Sequence, residues 1–126
     1  WIGRLEPTPH PLLRELVHTS YGARDYVRAA LYAEILIVRN PAFEDVLHLA
    51  SLSRKRLGNY DAALDHGERL HARRPGHLPY MLNLVDLHLH AGSLQRADVL
   101  LGLLEAQQPT EERVQKLRRY YQERVE

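Results

Sequence analysis

Histidine is the residue type best placed to do chemistry in this chain, with eight copies, and ionisable groups crowd most closely at Asp86-x-His88-x-His90. Imidazoles and carboxylates can hold a metal or relay a proton only if they converge on one point. On a helix Asp86 and His90 share a face, whereas His88 points about 200° away from Asp86. The three cannot readily chelate one ion. The expectation is a partly buried His88 and a polar wall, with no metal and no other cofactor. Asp65-His66 and His71 are expected to face solvent. The sequence holds no G-x-S-x-G, no phosphate-cradling glycine loop, no H-E-x-x-H and no cysteine nucleophile. No catalytic residue is therefore expected, and the chain does not read as an enzyme. Gly67 and Gly102 interrupt helical segments and are expected at close-packing positions.

Composition narrows the partners. A formal net charge of +1 creates no long-range field, which argues against nucleic acid. Arg118 and Arg119 beside Tyr120 and Tyr121 read as a solvated helix face rather than a nucleic-acid site. Basic residues are nearly all Arg, with Lys only at Lys55 and Lys116. No apolar run approaches the roughly 20 residues that span a bilayer, so no direct membrane insertion is expected from this stretch. A chain that opens on Trp1 reads as cut from a longer protein. The lack of cysteine leaves the compartment open, with cytoplasm weighed slightly above a bacterial periplasm.

What must position these side chains is a repeating frame. Gly58 returns as Gly92, Ala63 as Ala97 and Pro75 as Pro109; backwards, Ala63 answers to Ala29, Tyr60 to Tyr26 and Pro75 to Pro41. Every offset is 34 residues. Residues 1–9 carry three helix-breaking residues, Gly3, Pro7 and Pro9, and read as an extended lead-in. Trp1, Ile2 and Leu5 within it are apolar enough to pack on the first helical unit. Residues 10–126 then form one domain, with helix-turn-helix units at about 10–43, 44–77 and 78–111 and a closing helix at about 111–125.

Within the units, the first helix of unit one runs from Pro11 to Tyr21, with Leu12, Leu13, Leu16 and Val17 on one face. Gly22-Ala23 turns the chain, and Asp25 to Arg39 returns to a stop at Asn40-Pro41. In unit two Leu47, Ala50, Arg54 and Leu57 point inward, and Gly58-Asn59 turns into Asp61 to Arg73, where Asp61 can bond free N–H groups. In unit three Met81, Leu84, Val85 and His88 point inward, before Leu94 to Gln107. Thr110 suits the N-cap of the last helix. Val114, Leu117 and Tyr121 form its stripe, and Lys116, Arg118, Arg119 and Arg124 its wet face.

The chain resembles the tetratricopeptide-repeat family from Pro11 to its C-terminus, in period, in the alanines at 29, 63 and 97, and in the glycine and proline punctuation. Leu36, Leu70 and Leu104 stand where the family more often has Ala. Ser20, Arg54 and His88 replace a frequent Tyr, and Arg24 replaces the turn glycine of repeat one. The resemblance implies an all-α, right-handed α-solenoid of three repeats plus a C-terminal capping helix. It also implies a concave groove that takes peptides or helices. The family's groove positions fall on Arg14, His18, Tyr21, Asp45, His48, Leu52, Lys55, Leu82, Asn83, Asp86, Leu89 and His90. The positions that grip chaperone C-terminal carboxylates in some members hold Arg14, His18, Leu49, Pro79 and Asn83, so that clamp is not reproduced.

The resulting expectation is a non-catalytic scaffold for another protein or peptide segment, serving a bacterial secretion, polysaccharide-export or pilus-type assembly. The alternative is a chaperone shielding an apolar or helical segment of a client. A separate surface is expected on the convex side, where Leu31, Ile35 and Val38 leave the second helix apolar nearly all round. Its covering would be the Trp1-Ile2-Leu5 segment, a partner, or a second copy in a homodimer.

Overall fold

The computed structural model describes residues 10–126. They form seven helices: α1 His10–Gly22, α2 Tyr26–Arg39, α3 Glu44–Arg56, α4 Tyr60–Arg73, α5 Leu78–Ala91, α6 Leu94–Gln107 and α7 Glu112–Val125. The repeating punctuation is what ends them. Asn40, Arg74 and Gln108 each precede a proline, which disfavours helix in the residue before it. Each leaves the helical region while its N–H donates to the carbonyl of Leu36, Leu70 or Leu104, at 2.7, 2.9 and 2.7 Å.

The tighter turns repeat as closely. Arg24, Gly58 and Gly92 all take left-handed backbone, with φ of 61°, 78° and 83°. Their N–H groups donate to Tyr21, Lys55 and Leu89, and the next N–H reaches back to Ser20, Arg54 and His88. Glycine adopts this conformation freely, but Arg24 has a Cβ that makes it strained. The turn expected at Gly22-Ala23 thus centres on Arg24, and Gly22 still belongs to α1.

Each helix packs on its neighbours in the chain. The backbones of the first helices also come close to one another, α1 to α3, α3 to α5 and α5 to α7, whereas those of α2, α4 and α6 stay apart and meet only through long side chains. Elements on the inside of a bend crowd together and those outside fan apart. The first helices therefore line a concave face, and α2, α4 and α6 form the convex one. Ala29, Ala63 and Ala97 are fully buried where the two helices of a repeat cross, as close approach requires.

Two apolar clusters result, one spanning Leu13 to Leu70 and one spanning Met81 to Val114. A polar seam joins α3, α4 and α5 between them. Ser51 Oγ donates to the Ala63 carbonyl at 2.8 Å and accepts from Asn83 Nδ2 at 2.9 Å. Gly67 lies on the same seam, where a Cβ would sit 3.2 Å from Leu84 Cδ1. Gly102 has open space around it, so its expected close-packing role fails.

Several polar expectations change as well. Glu34 and Glu68 occupy one repeat position on α2 and α4. Glu34 Oε1 lies 2.7 Å from His66 Nε2 and 3.7 Å from Arg54 Nη2. Glu68 lies 2.9 Å from His88 Nε2 and 3.3 Å from Arg96 Nη2. Two of the residues standing in for the frequent Tyr, Arg54 and His88, thus meet a repeated acid on the preceding repeat. His66 is buried rather than solvent-facing, because that acid draws it inward. Leu12 and Leu57 are exposed instead of inward. Leu57 already terminates α3, outside its packed face. Asn59, not Asp61, holds the N-cap position of α4, and Glu111 rather than Thr110 caps α7 by accepting from the Arg113 N–H.

Candidate functional site

Helix α7 begins and ends 34 residues after α5, so it takes the register of a further first helix. His48, Leu82 and Lys116 stand in one row across the concave face, and Leu52, Asp86 and Tyr120 in the next. Pro79 pairs in the same way with Arg113, and Asn83 with Leu117. These rows close around a groove of about 720 Å³ between α3, α5 and α7, with Lys55, Arg119 and Glu123 completing its wall.

The floor is apolar, made by Leu52, Pro79, Leu82, Leu117 and the Tyr120 ring. Its charged groups on the α3 and α5 side are paired. Lys55 Nζ lies 2.9 Å from Asp86 Oδ2. His90 stacks between Tyr60 and Tyr120, with 5.7 Å between ring centroids on either side, and its Nδ1 lies 2.8 Å from the Asp86 carbonyl. The His48 ring packs 5.0 Å from Tyr80. Burial, reinforced by the charges of Lys55 and His77, pushes the His48 pKa down to about 4, so this imidazole is neutral at pH 7.

Helix α7 is held to the array from behind. Arg118 donates to Asp98 and to Glu105, each at 2.7 Å, and these bonds raise its pKa. Arg124 Nη2 donates to the Leu89 carbonyl at 2.8 Å, a second donor on an acceptor at the end of α5 that also takes the Gly92 N–H. Lys116 and Arg119, on the groove side, have no ion pair among the described residues.

Of the expected groove residues, His48, Leu52, Lys55, Leu82, Asn83 and Asp86 line this groove, and His90 braces its edge. Leu89 does not reach it. Its side chain is fully buried in the cluster formed by α5, α6 and α7. Arg14 and His18 belong to a separate recess of about 360 Å³ with His10, Pro11, Glu15 and Phe43. Both are held there by Asp45: Arg14 donates through Nε and Nη2 at 2.8 and 2.9 Å, and His18 Nε2 lies 2.7 Å away. Burial alone would raise the Asp45 pKa, but these two partners hold it below the usual carboxylate range. Tyr21 packs edge-on against Tyr26 at 5.6 Å and is not part of the groove lining.

Sequence reasoning missed the whole α7 wall, namely Arg113, Lys116, Leu117, Arg119, Tyr120 and Glu123. Extending the 34-residue offset once more, from Leu82 to Lys116 and from Asp86 to Tyr120, finds it. Lys116 and Arg119 therefore face the groove rather than an outer wet face, and Arg118 is clamped against α6.

The Asp86, His88 and His90 trio splits in the direction helical geometry dictates. Asp86 and His90 meet on the concave side, while His88 turns to Glu68. Among the described residues no group of three or more such side chains could hold a metal, and no helix is long and apolar enough to cross a membrane. On the convex side Leu31, Ile35 and Val38 are 56%, 43% and 83% exposed. Nothing among the described residues covers them. The Trp1-Ile2-Leu5 segment proposed to fold back lies outside the described residues.

Comparison with known proteins agrees with this architecture. The sequence profile described as "Tetratricopeptide repeat" matches residues 56–119, just over half of the chain. The TPR domain of Arabidopsis OM64 superposes with a TM-score of 0.78 at 10% identity, covering 90% of this chain and 94% of that one. The TPR2B domain of yeast Sti1, solved in complex with pHsp70, gives a TM-score of 0.74 at 11% identity, covering 92% and 95%. No curated protein matches the sequence. With period, turn geometry, helix order and profile in agreement, the chain belongs to the tetratricopeptide-repeat family and is a scaffold for protein–protein interaction.

Proposed function

We propose that this chain is a chaperone-type binding module that shields an apolar or helical segment of a client protein in the groove between α3, α5 and α7. One observation carries the reading: Leu52, Pro79, Leu82, Leu117 and Tyr120 gather on the concave face, where the fold offers room for a peptide. The similar Sti1 domain, found with pHsp70, supports a chaperone-related role over one in a secretion, polysaccharide-export or pilus assembly. The latter reading drew on the Arg-rich, cysteine-free composition and the opening on Trp1, and gains no support from the relatives.

The mode of grip differs from a carboxylate clamp. Arg14 and His18 are engaged by Asp45, Leu49 and Pro79 carry no charge, and Asn83 donates inward to Ser51. Burial of apolar side chains on the groove floor is what holds the occupant. The test is fluorescence anisotropy with a labelled amphipathic peptide of about 14 residues, with a leucine face and an otherwise glutamine surface. It should bind the wild-type chain and lose binding to the Leu52→Asp, Leu82→Asp double variant at unchanged helicity. A peptide that ignores the wild-type protein, or binds both forms equally, overturns the groove assignment.

A further inference from the structure

We infer that α7 makes the groove selective for acidic segments, so that its occupant is a partner peptide bearing Asp or Glu beside its apolar anchors. This rests on the chaperone-type groove and adds the partner's charge. Four basic side chains line the groove, Lys55, Arg113, Lys116 and Arg119, against two acidic ones, Asp86 and Glu123. Lys55 is neutralised by Asp86, and Arg113 by Glu111 at 2.7 Å. That leaves Lys116 and Arg119, one helical turn apart on the same wall, with no ion pair among the described residues. Glu123 lies a further turn along and makes no ion pair with Arg119.

What gives these two cations meaning is their place: they share one wall of an apolar groove, whereas Arg24, Arg56 and Arg73, which also make no ion pair among the described residues, do not line it. Several arginines that bridge helices are matched by acids: Arg14 with Asp45, Arg74 with Glu44, Arg96 with Glu68, and Arg118 with Asp98 and Glu105. The formal net charge of only +1 means that this local excess is not a share of a generally basic surface. Both lysines of the chain, Lys55 and Lys116, face this one groove. Opposite Lys116 and Arg119 stand Leu52, Leu82 and the neutral His48. A segment lying here meets an apolar wall from α3 and α5 and a cationic wall from α7. A carboxylate beside Lys116 and Arg119 gains attraction from two cations at once, screened by solvent because both side chains are exposed.

The experiment uses three labelled peptides of about 14 residues with one leucine pattern and polar positions filled by Glu, Gln or Lys. The Glu peptide should bind about three- to tenfold more tightly than the Gln peptide, as two partly screened ion pairs allow. The Lys peptide should bind most weakly. Lys116→Glu with Arg119→Glu should invert the order of the Glu and Lys peptides. The milder Lys116→Gln with Arg119→Gln should level it, and circular dichroism checks that α7 survives in both. Raising salt from about 50 to 500 mM should erase the preference while leaving the Gln peptide bound. Equal affinity for the Glu and Gln peptides, or an order that the α7 variants leave intact, overturns the inference but spares the groove. Failure of all three peptides to bind overturns both. A concentration-dependent dimer that the Glu peptide cannot dissociate assigns the groove to a second copy and also overturns the inference.

Discussion

Gly67 and Gly102 sit inside the second helices of adjacent repeats, α4 and α6, yet an added methyl group should act on them in opposite ways. Both substitutions to Ala remove the same helix penalty, about 0.8–1 kcal/mol. At Gly102 nothing lies within 4 Å of the new Cβ, so Gly102→Ala should stabilise by nearly that full amount. At Gly67 the Cβ falls 3.2 Å from Leu84 Cδ1, 3.6 Å from Leu87 Cδ1 and 3.7 Å from Ser51 Oγ. Both leucines are fully buried, so the displaced methyl groups have little free room. Gly67→Ala should therefore forfeit most of the gain and fall within about 0.5 kcal/mol of wild type. Gly67→Leu, which must move whole side chains, should destabilise by about 1–3 kcal/mol. Urea titrations followed by helical circular dichroism measure all three, with an unchanged slope required for direct comparison. Should Gly67→Ala stabilise as fully as Gly102→Ala, or Gly67→Leu keep the wild-type midpoint, α4 and α5 cannot approach as described.

Three further outcomes are expected. Arg24→Gly should raise stability by about 0.5–1 kcal/mol in a thermal melt, because glycine takes the φ of 61° without a Cβ clash; a lower melting temperature would count against the strain. Ala63→Leu should cost about 1–3 kcal/mol at the fully buried crossing of α3 and α4, and an unaltered melt would break the repeat register. Stability should also fall as pH drops from about 6.5 to about 4, since His48 takes a proton in the unfolded chain before it does in the folded one. Below that, the depressed folded pKa of Glu68 adds a second loss, its burial being outweighed by the bonds from His88 and Arg96. Urea midpoints for His48→Phe should decline less across the upper window, and those for Glu68→Gln less across the lower; parallel curves for wild type and both variants would refute the linkage.

The helices were legible because their signals are local and recur. Leu36, Leu70 and Leu104, each four residues before a residue that precedes proline, announce three helix ends by position alone. What escaped depends on partners a repeat away. His66 looks polar and outward until Glu34 is seen beside it, and Leu89 looks like groove until α6 and α7 cover it. The groove itself was half legible. Its α3 and α5 rows followed from the repeat, whereas α7 read as an end cap, and a cap was not expected to contribute a wall. Arg24 shows the opposite limit: a residue type that predicts no left-handed turn adopts one because its position in the repeat demands it.

The side-chain bonds that cross between repeats have a consequence for how the protein is made. Their reach along the chain is short: 20 residues for His88 to Glu68, 31 for Arg14 to Asp45 and for Lys55 to Asp86, 32 for His66 to Glu34 and, at the longest among the described residues, 36 for Tyr80 to Glu44. A growing chain therefore never waits long for the other half of a contact. Once Leu70 has left the ribosome, every fully buried member of the cluster that starts at Leu13 has been synthesised, while α5, α6 and α7 have yet to emerge. The first two repeats can close during translation, and their buried face then serves as the template on which α5 docks as it appears. Synthesis order and assembly order coincide, so the groove, which needs α7, forms only after the first two repeats have closed and α5 has docked.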